Sequence, residues 1–261
     1  MMHFDIDRYA NLRSQFHSFD PRAKIVCLLI LIFSIVMITD IKVLFIGFIS
    51  SITLVLICKI PVGFIIKRLK WVLFFVFALL VIIPITSSGN VIFTLSFITV
   101  TKQGLILAST ISLKALSATL LVFPMISTMP FITFIRALEQ LKIPSKLVQM
   151  ISFIYRYIFV ISDELHKTRL SVQSRNVKKK SYFFKNKILG SIIGMIIIRS
   201  YERGERIRDA MLSRGYNGKI RTIHSFKLHK LDILKFSLIL SWAFILHIFI
   251  FIKIFDKVVF V

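Results

Sequence analysis

Long apolar runs set the first limit on this fold. Residues 24–39, 43–58, 71–85, 105–127 and 233–254 are built almost entirely from Ile, Leu, Val, Phe and small residues. Each approaches the ~20 residues that an α-helix needs to cross a bilayer. Hydrophobic residues make up 56% of the 261, and 26 are phenylalanine, a richer apolar content than an ordinary soluble domain carries. Lipid offers no hydrogen-bond partner to an open backbone, so such runs are satisfied as helices. The expected fold is an all-α integral membrane protein with about five transmembrane helices. Asp40-Ile41-Lys42 is all that parts the first two runs, which makes them a tight hairpin. The segment 91–100 is apolar but short, and either extends the third run or forms a re-entrant or interfacial piece.

The 35 Lys and Arg against 12 Asp and Glu give a net charge of +23, and this charge is unevenly placed. Arg8, Arg13, Arg22 and Lys24 lie in a polar leader, and Lys59, Lys67, Arg68 and Lys70 follow the second run. Basic loops stay inside the cell, so both regions are expected in the cytoplasm. The first apolar run begins near Ile25, after that leader, and reads as a retained span rather than a cleaved signal. Alternation then places residues 128–230 in the cytoplasm, with about 21 Lys and Arg against about 6 Asp and Glu, as the positive-inside rule expects. The chain therefore divides into three expected parts. Residues 1–127 hold the leader and about four spans, 128–231 form a cytoplasmic region, and 232–261 hold the last span and tail.

The cytoplasmic region holds two long helices of one plan. Pro130 and Pro144 bracket a short amphipathic piece. The residue before Pro144 is pushed away from helix, and Ser145 is a suitable N-cap for the first long helix. That helix starts apolar and aromatic, turns polar from Asp163, and ends near Ser174-Arg175-Asn176. Thirty residues of helix reach about 45 Å. The second long helix starts at ILGSIIGMIII, too short to span, and ends in RDAMLSRGYNG. Gly190 and Gly194 in its apolar start have the small-xxx-small spacing that lets helices cross closely.

Catalytic and metal-binding patterns are missing from the sequence. GYNGKI lacks the length and hydroxyl of a phosphate loop, and no HExxH occurs. The six histidines do not share ligand spacings on one helix face. Cys27 and Cys58 each sit in an apolar run and read as small core or lipid-facing residues. No catalytic or metal-ligating residue is assigned. Lys114 is the exception in an apolar run, and an intramembrane ammonium is costly enough to suggest a role.

The two helix ends carry the strongest signal. Ser174-Arg175-Asn176 and Ser213-Arg214-Gly215 each place an arginine after a small residue and before a residue suited to a left-handed C-terminal turn. An arginine there complements the negative helix end. A guanidinium with five donors also suits a carboxylate-lined groove on another protein. With the leader DRYANLRSQFHSFDPRAKI, the segment LEQLKIPSKLVQMISFIYRYI and RSYERGERIRDAM, these motifs resemble the transmembrane T component of energy-coupling factor transporters, the CbiQ-like family. The resemblance runs over essentially the whole chain.

The resemblance implies long cytoplasmic coupling helices whose ends dock into two ABC-type ATPase subunits, homodimeric or heterodimeric. The docking residues implied are Ser174, Arg175, Asn176, Ala210, Met211, Ser213, Arg214 and Gly215. The family motif is Ala-Arg-Gly, so serine replaces alanine at both ends and asparagine replaces glycine at the first. It further implies a CbiM-like substrate-binding S component, surrounding membrane lipids, no nucleic acid and no cofactor in this chain, with ATP and Mg held by the ATPases. A prokaryotic cell membrane and a non-catalytic role are implied too. The DRYA start is similar to cobalt and nickel members. Cobalt uptake is the expected function, with nickel or vitamin uptake as alternatives. A different class of reading is a membrane-anchored polybasic protein that uses Lys178-Lys179-Lys180 to bind lipid or nucleic acid.

Overall fold

Polar side chains buried among apolar helices need hydrogen-bond partners, and the computed structural model supplies them for most, Ser112 Oγ being buried without one among the described residues. It describes residues 16, 19–95, 98–174, 182–218 and 229–259, which fall into two compact units. One takes in the described residues of 135–225. The other takes in those of 5–134 and 226–261.

The second of these units is the membrane bundle. It contains α1 (Pro21–Met37), α2 (Ile41–Ile57), α3 (Val62–Thr86), a hairpin of β1 (Val91–Leu95) and β2 (Ile98–Thr101), α4 (Lys102–Ser127) and α8 (Lys230–Val259). Helix α4 packs against α1, α2 and α3, while α8 packs mainly on α1. Leu28, Leu31, Ile35, Leu44 and Leu121 are fully buried at the centre. The outward faces carry Phe33, Phe45, Phe74, Phe77 and Trp71, all exposed, as helices solvated by lipid require. Hydroxyls within the helices fold back on their own backbone: Ser51 Oγ donates to Gly47 O at 2.9 Å, Thr53 Oγ1 to Ile49 O at 2.6 Å and Ser117 Oγ to Leu113 O at 2.7 Å. Such bonds hide a polar group without a second helix.

Helix ends follow the same accounting. Asp20 caps α1 by accepting from Arg22 N at 2.9 Å, with Pro21 in the first turn. Thr101 caps α4 by accepting from Gly104 N at 3.3 Å, and its hydroxyl lies 3.0 Å from Ser87 O. Here α3 and α4 meet so closely that a Cβ on Gly104 would fall 2.7 Å from Pro84 Cα. At the other end of α4, Lys24 is fully buried, and its Nζ donates to Thr128 Oγ1 at 3.0 Å. Thr128 Oγ1 in turn donates to Pro124 O at 2.6 Å. The ammonium thus sits at the negative end of α4, a structural place that its reading as a leader charge did not foresee.

Two expectations are revised. Three described helices are long and apolar enough to cross a bilayer: α3, α4 and the Lys230–Ile248 part of α8. Helix α2 is a shorter apolar helix of 17 residues, and α1 also has 17. At about 25 Å each they fall short of a ~30 Å hydrocarbon core, so the count by length is three to four rather than about five. The segment 91–100 extends no helix. It forms the antiparallel hairpin, with Leu95 paired to Ile98 and Thr94 to Thr99, as its β-branched content favours.

The remaining unit contains α5 (Phe131–Gln140) from residue 135 onward, α6 (Ser145–Ser174) and α7 (Tyr182–Leu212). Its long helices bury little within the chain. Leu147, Met150 and Ile154 on α6, and Ile193, Ile197 and Ile198 on α7, are exposed.

Candidate functional site

Two helices that share almost no core must be registered by polar contacts, and these fall at two points. Glu164 on α6 is straddled by two arginines one turn apart on α7. Arg199 Nη1 lies 3.0 Å from its Oε1 and Arg203 Nη2 lies 3.0 Å from its Oε2. Further along, Tyr216 donates its hydroxyl to Gln149 Oε1 at 2.6 Å, and Gln149 Nε2 donates to Gly218 O at 3.3 Å. Residue numbers fall along α6 as they rise along α7, so the helices run antiparallel rather than side by side in one direction. Their C-terminal ends therefore leave the Glu164 contact in opposite directions, roughly 15 Å along α6 and roughly 20 Å along α7.

The end of α7 is closed by backbone geometry. Gly215 has φ +81° and sits in the left-handed region. Its N–H donates to Leu212 O at 3.0 Å, and the N–H of Tyr216 donates to Met211 O at 3.0 Å. This pair of bonds is a Schellman motif, with Arg214 as the C-cap two residues after Leu212 and Gly215 just beyond it. Ser213 Oγ donates to Ala210 O at 3.0 Å, which turns its polar group inward. Ala210, Ser213 and Arg214 are exposed, and Met211 is half-buried. The backbone N–H of Arg214 donates to Met211 O at 3.1 Å, while its guanidinium makes no hydrogen bond or ion pair to a described residue. Arg208, one and a half turns earlier, is engaged by Asp209 at 3.0 Å, which raises its already high pKa further.

The first tip is described only as far as Ser174, the last residue of α6, whose Oγ donates to Ser171 O at 2.8 Å. Arg175 and Asn176, like Lys178-Lys179-Lys180, lie outside the described residues. Gly190 and Gly194 lie on α7, and a Cβ built on either meets nothing within 4 Å. Among the described residues, then, no helix of this chain crosses them. Glu164, Arg199, Arg203, Gln149 and Tyr216 were not singled out from the sequence. The signals were faint: an i, i+4 arginine pair on α7, and an aromatic directly after the helix-ending glycine.

The sequence profile of the cobalt transport protein family CbiQ matches residues 13–225. An uncharacterized protein of Methanocaldococcus jannaschii is 28% identical over 249 residues, covering 92% of this chain and 85% of that protein. The energy-coupling factor transporter transmembrane protein EcfT of Staphylococcus aureus is 27% identical over 256 residues, covering 93% and 96% of the two chains. The EcfT of Bacillus subtilis is 26% identical over 226 residues, covering 82% and 84%.

Proposed function

The chain belongs to the CbiQ cobalt transport protein family, a multi-pass membrane component of energy-coupling factor transport, and from that premise we propose that it couples two ATPase subunits to a substrate-binding membrane subunit. The carrying observation is Arg214. It is exposed, it caps a helix whose last turn is closed by Gly215, and its guanidinium makes no ion pair or hydrogen bond to a described residue. A guanidinium so presented suits a carboxylate groove on a partner. In the sequence its counterpart is Arg175, the residue that follows the last described residue of α6. Because α6 and α7 run antiparallel, their tips point apart, which suits contact with two subunits rather than one. Ser174, Asn176, Ala210, Met211 and Ser213 would line the docking surface around the two arginines.

ATP and Mg bind the partner ATPases in this reading, and this chain performs no chemistry. Closure of the ATPases shifts the tips. The Glu164 clamp makes α6 and α7 move together, and their exposed apolar starts carry the motion to the substrate-binding subunit. Gly190 and Gly194, open on this chain, leave room for a helix of that subunit. The coupling region and N-terminus lie in the cytoplasm, on the side of the basic loops. Cobalt is the substrate proposed, carried by the family's own description.

Alanine substitution of Arg175 and Arg214, singly and together, tests this with co-purification from detergent-solubilised membranes. The single variants are expected to weaken ATPase recovery and the double variant to abolish it, with membrane insertion unchanged. Full ATPase recovery with the double variant would overturn the proposal. Metal-dependent uptake by the complete complex tests the cobalt assignment, and uptake indifferent to cobalt would remove it.

A further inference from the structure

Lys114 is the residue that the coupling mechanism leaves unused. It is the thirteenth of the 26 residues of α4, so about 18 Å of helix separates it from either end. That places its ammonium near the middle of the hydrocarbon, too deep for the lysine stem to carry it to a headgroup. It is half-buried. Leu107 and Ile111, seven and three residues earlier on the same face, are 51% and 43% exposed. Ala118 continues that face one turn further at the spacing of a helix-packing seam, and beyond it the row enters the bundle's own core at Leu121.

The buried Lys24 shows by contrast what is missing. Lys24 finds Thr128 and the carbonyl end of α4. The ammonium of Lys114 makes no hydrogen bond or ion pair to a described residue. The sequence also offers no Asp or Glu anywhere between Asp40 and Glu139, so none of α2, α3 or α4 can supply a carboxylate within the bilayer. Charged groups inside a membrane pair with a partner or line a polar path. An ammonium repels a divalent cation, so a path for such a substrate along this face is disfavoured.

We propose that the Leu107–Ile111–Lys114–Ala118 face of α4 is a docking seam for a transmembrane helix of the substrate-binding subunit, and that Lys114 pairs there with a carboxylate at mid-membrane depth. Ala118 provides the small residue that lets the helix approach. Lys114 thereby fixes both the partner and its depth. This rests on the coupling function proposed above, because it takes the substrate-binding subunit as occupant.

The test uses the complete complex, solubilised and captured through a tag on an ATPase subunit. Lys114→Met keeps the length of the side chain and removes the charge, and it makes α4 easier to insert. Lys114→Arg keeps the charge, and Lys114→Glu reverses it. Recovery of the membrane partner is expected to fall about tenfold with Met, as an intramembrane polar pair of this kind warrants. It is expected to fall further with Glu and to stay near wild type with Arg, with ATPase recovery unchanged throughout. Wild-type recovery of the membrane partner with Met, or with Glu, would overturn the docking seam. A parallel loss of ATPase with Met would overturn it too, by assigning Lys114 to the fold. A wild-type complex that captures no membrane partner at all would instead sink the coupling function on which the proposal rests.

Discussion

Gly215→Ala puts the tip geometry to a quantitative test. A Cβ at this position meets nothing within 4 Å, so no neighbour resists the substitution. The whole cost is the left-handed backbone, φ +81°, which an alanine occupies at about 1–2 kcal/mol. The chain can relieve that cost by opening its last turn. Doing so breaks the bonds from Gly215 N to Leu212 O and from Tyr216 N to Met211 O, and Arg214 then loses its fixed direction. If the ATPase groove needs that direction, the cost passes into affinity, and 1–2 kcal/mol is a factor of about 5–30. Gly215→Asn should stay within about threefold of wild type, since asparagine enters the left-handed region more readily than alanine. The assay titrates purified ATPase against the chain in nanodiscs and compares Kd values. Alanine binding as tightly as glycine, or asparagine more weakly than alanine, would refute the reasoning. The asparagine variant also mimics the first tip, where Asn176 occupies the equivalent place.

The polar contacts carry three further expectations. Tyr216→Phe leaves Gln149 Oε1 without its 2.6 Å donor, so amide exchange at the end of α7 should quicken by an amount equivalent to about 1–3 kcal/mol; unchanged exchange would show the contact to be idle. Glu164→Gln disarms two partly exposed ion pairs. Each is worth at most about 1 kcal/mol, so melting in detergent should shift modestly at low salt and less at high salt. A salt-independent loss would point to packing instead. Thr128→Val removes the hydroxyl that Lys24 uses and should cost about 1.5–3 kcal/mol. Lys24→Met removes the buried charge itself, leaves Thr128 bonded to Pro124 O, and should cost less. Thermal melts that rank the two the other way would contradict this assignment of the buried pair.

Patterns that act over a few residues were legible in the sequence. The start of α6 directly after Pro144 was legible, although Ser145 is its first helical residue and Pro144, whose carbonyl accepts from Val148 N, holds the N-cap place expected for the serine. Gly215 closes α7 in the conformation that its type and position require. Contacts distant in sequence were not legible. Lys67, Arg68 and Lys70 read as a basic loop, yet α3 already begins at Val62. Arg68 lies over the Phe64 ring, 4.5 Å from its centroid, and so stays on the helix at the membrane edge. Segment 91–100 has the hydropathy of a span, but ten residues cannot cross, and pairing with itself satisfies its backbone. The Glu164 clamp joins residues 35 and 39 apart, and no periodicity records such a pair. The direction of α7 against α6 depends on that contact and was therefore hidden too.

The central claim is that the end of α7 touches an ATPase subunit. Both native cysteines are buried, Cys27 at 1% and Cys58 at 0% exposure, so a thiol-reactive photocrosslinker will label an introduced surface cysteine selectively. Ser213→Cys, beside Arg214, should yield on illumination of the assembled complex a covalent adduct of this chain with an ATPase subunit. The exposed Ser191→Cys, near the other end of the same helix, should not. An ATPase adduct from position 191 with none from position 213 would contradict the account.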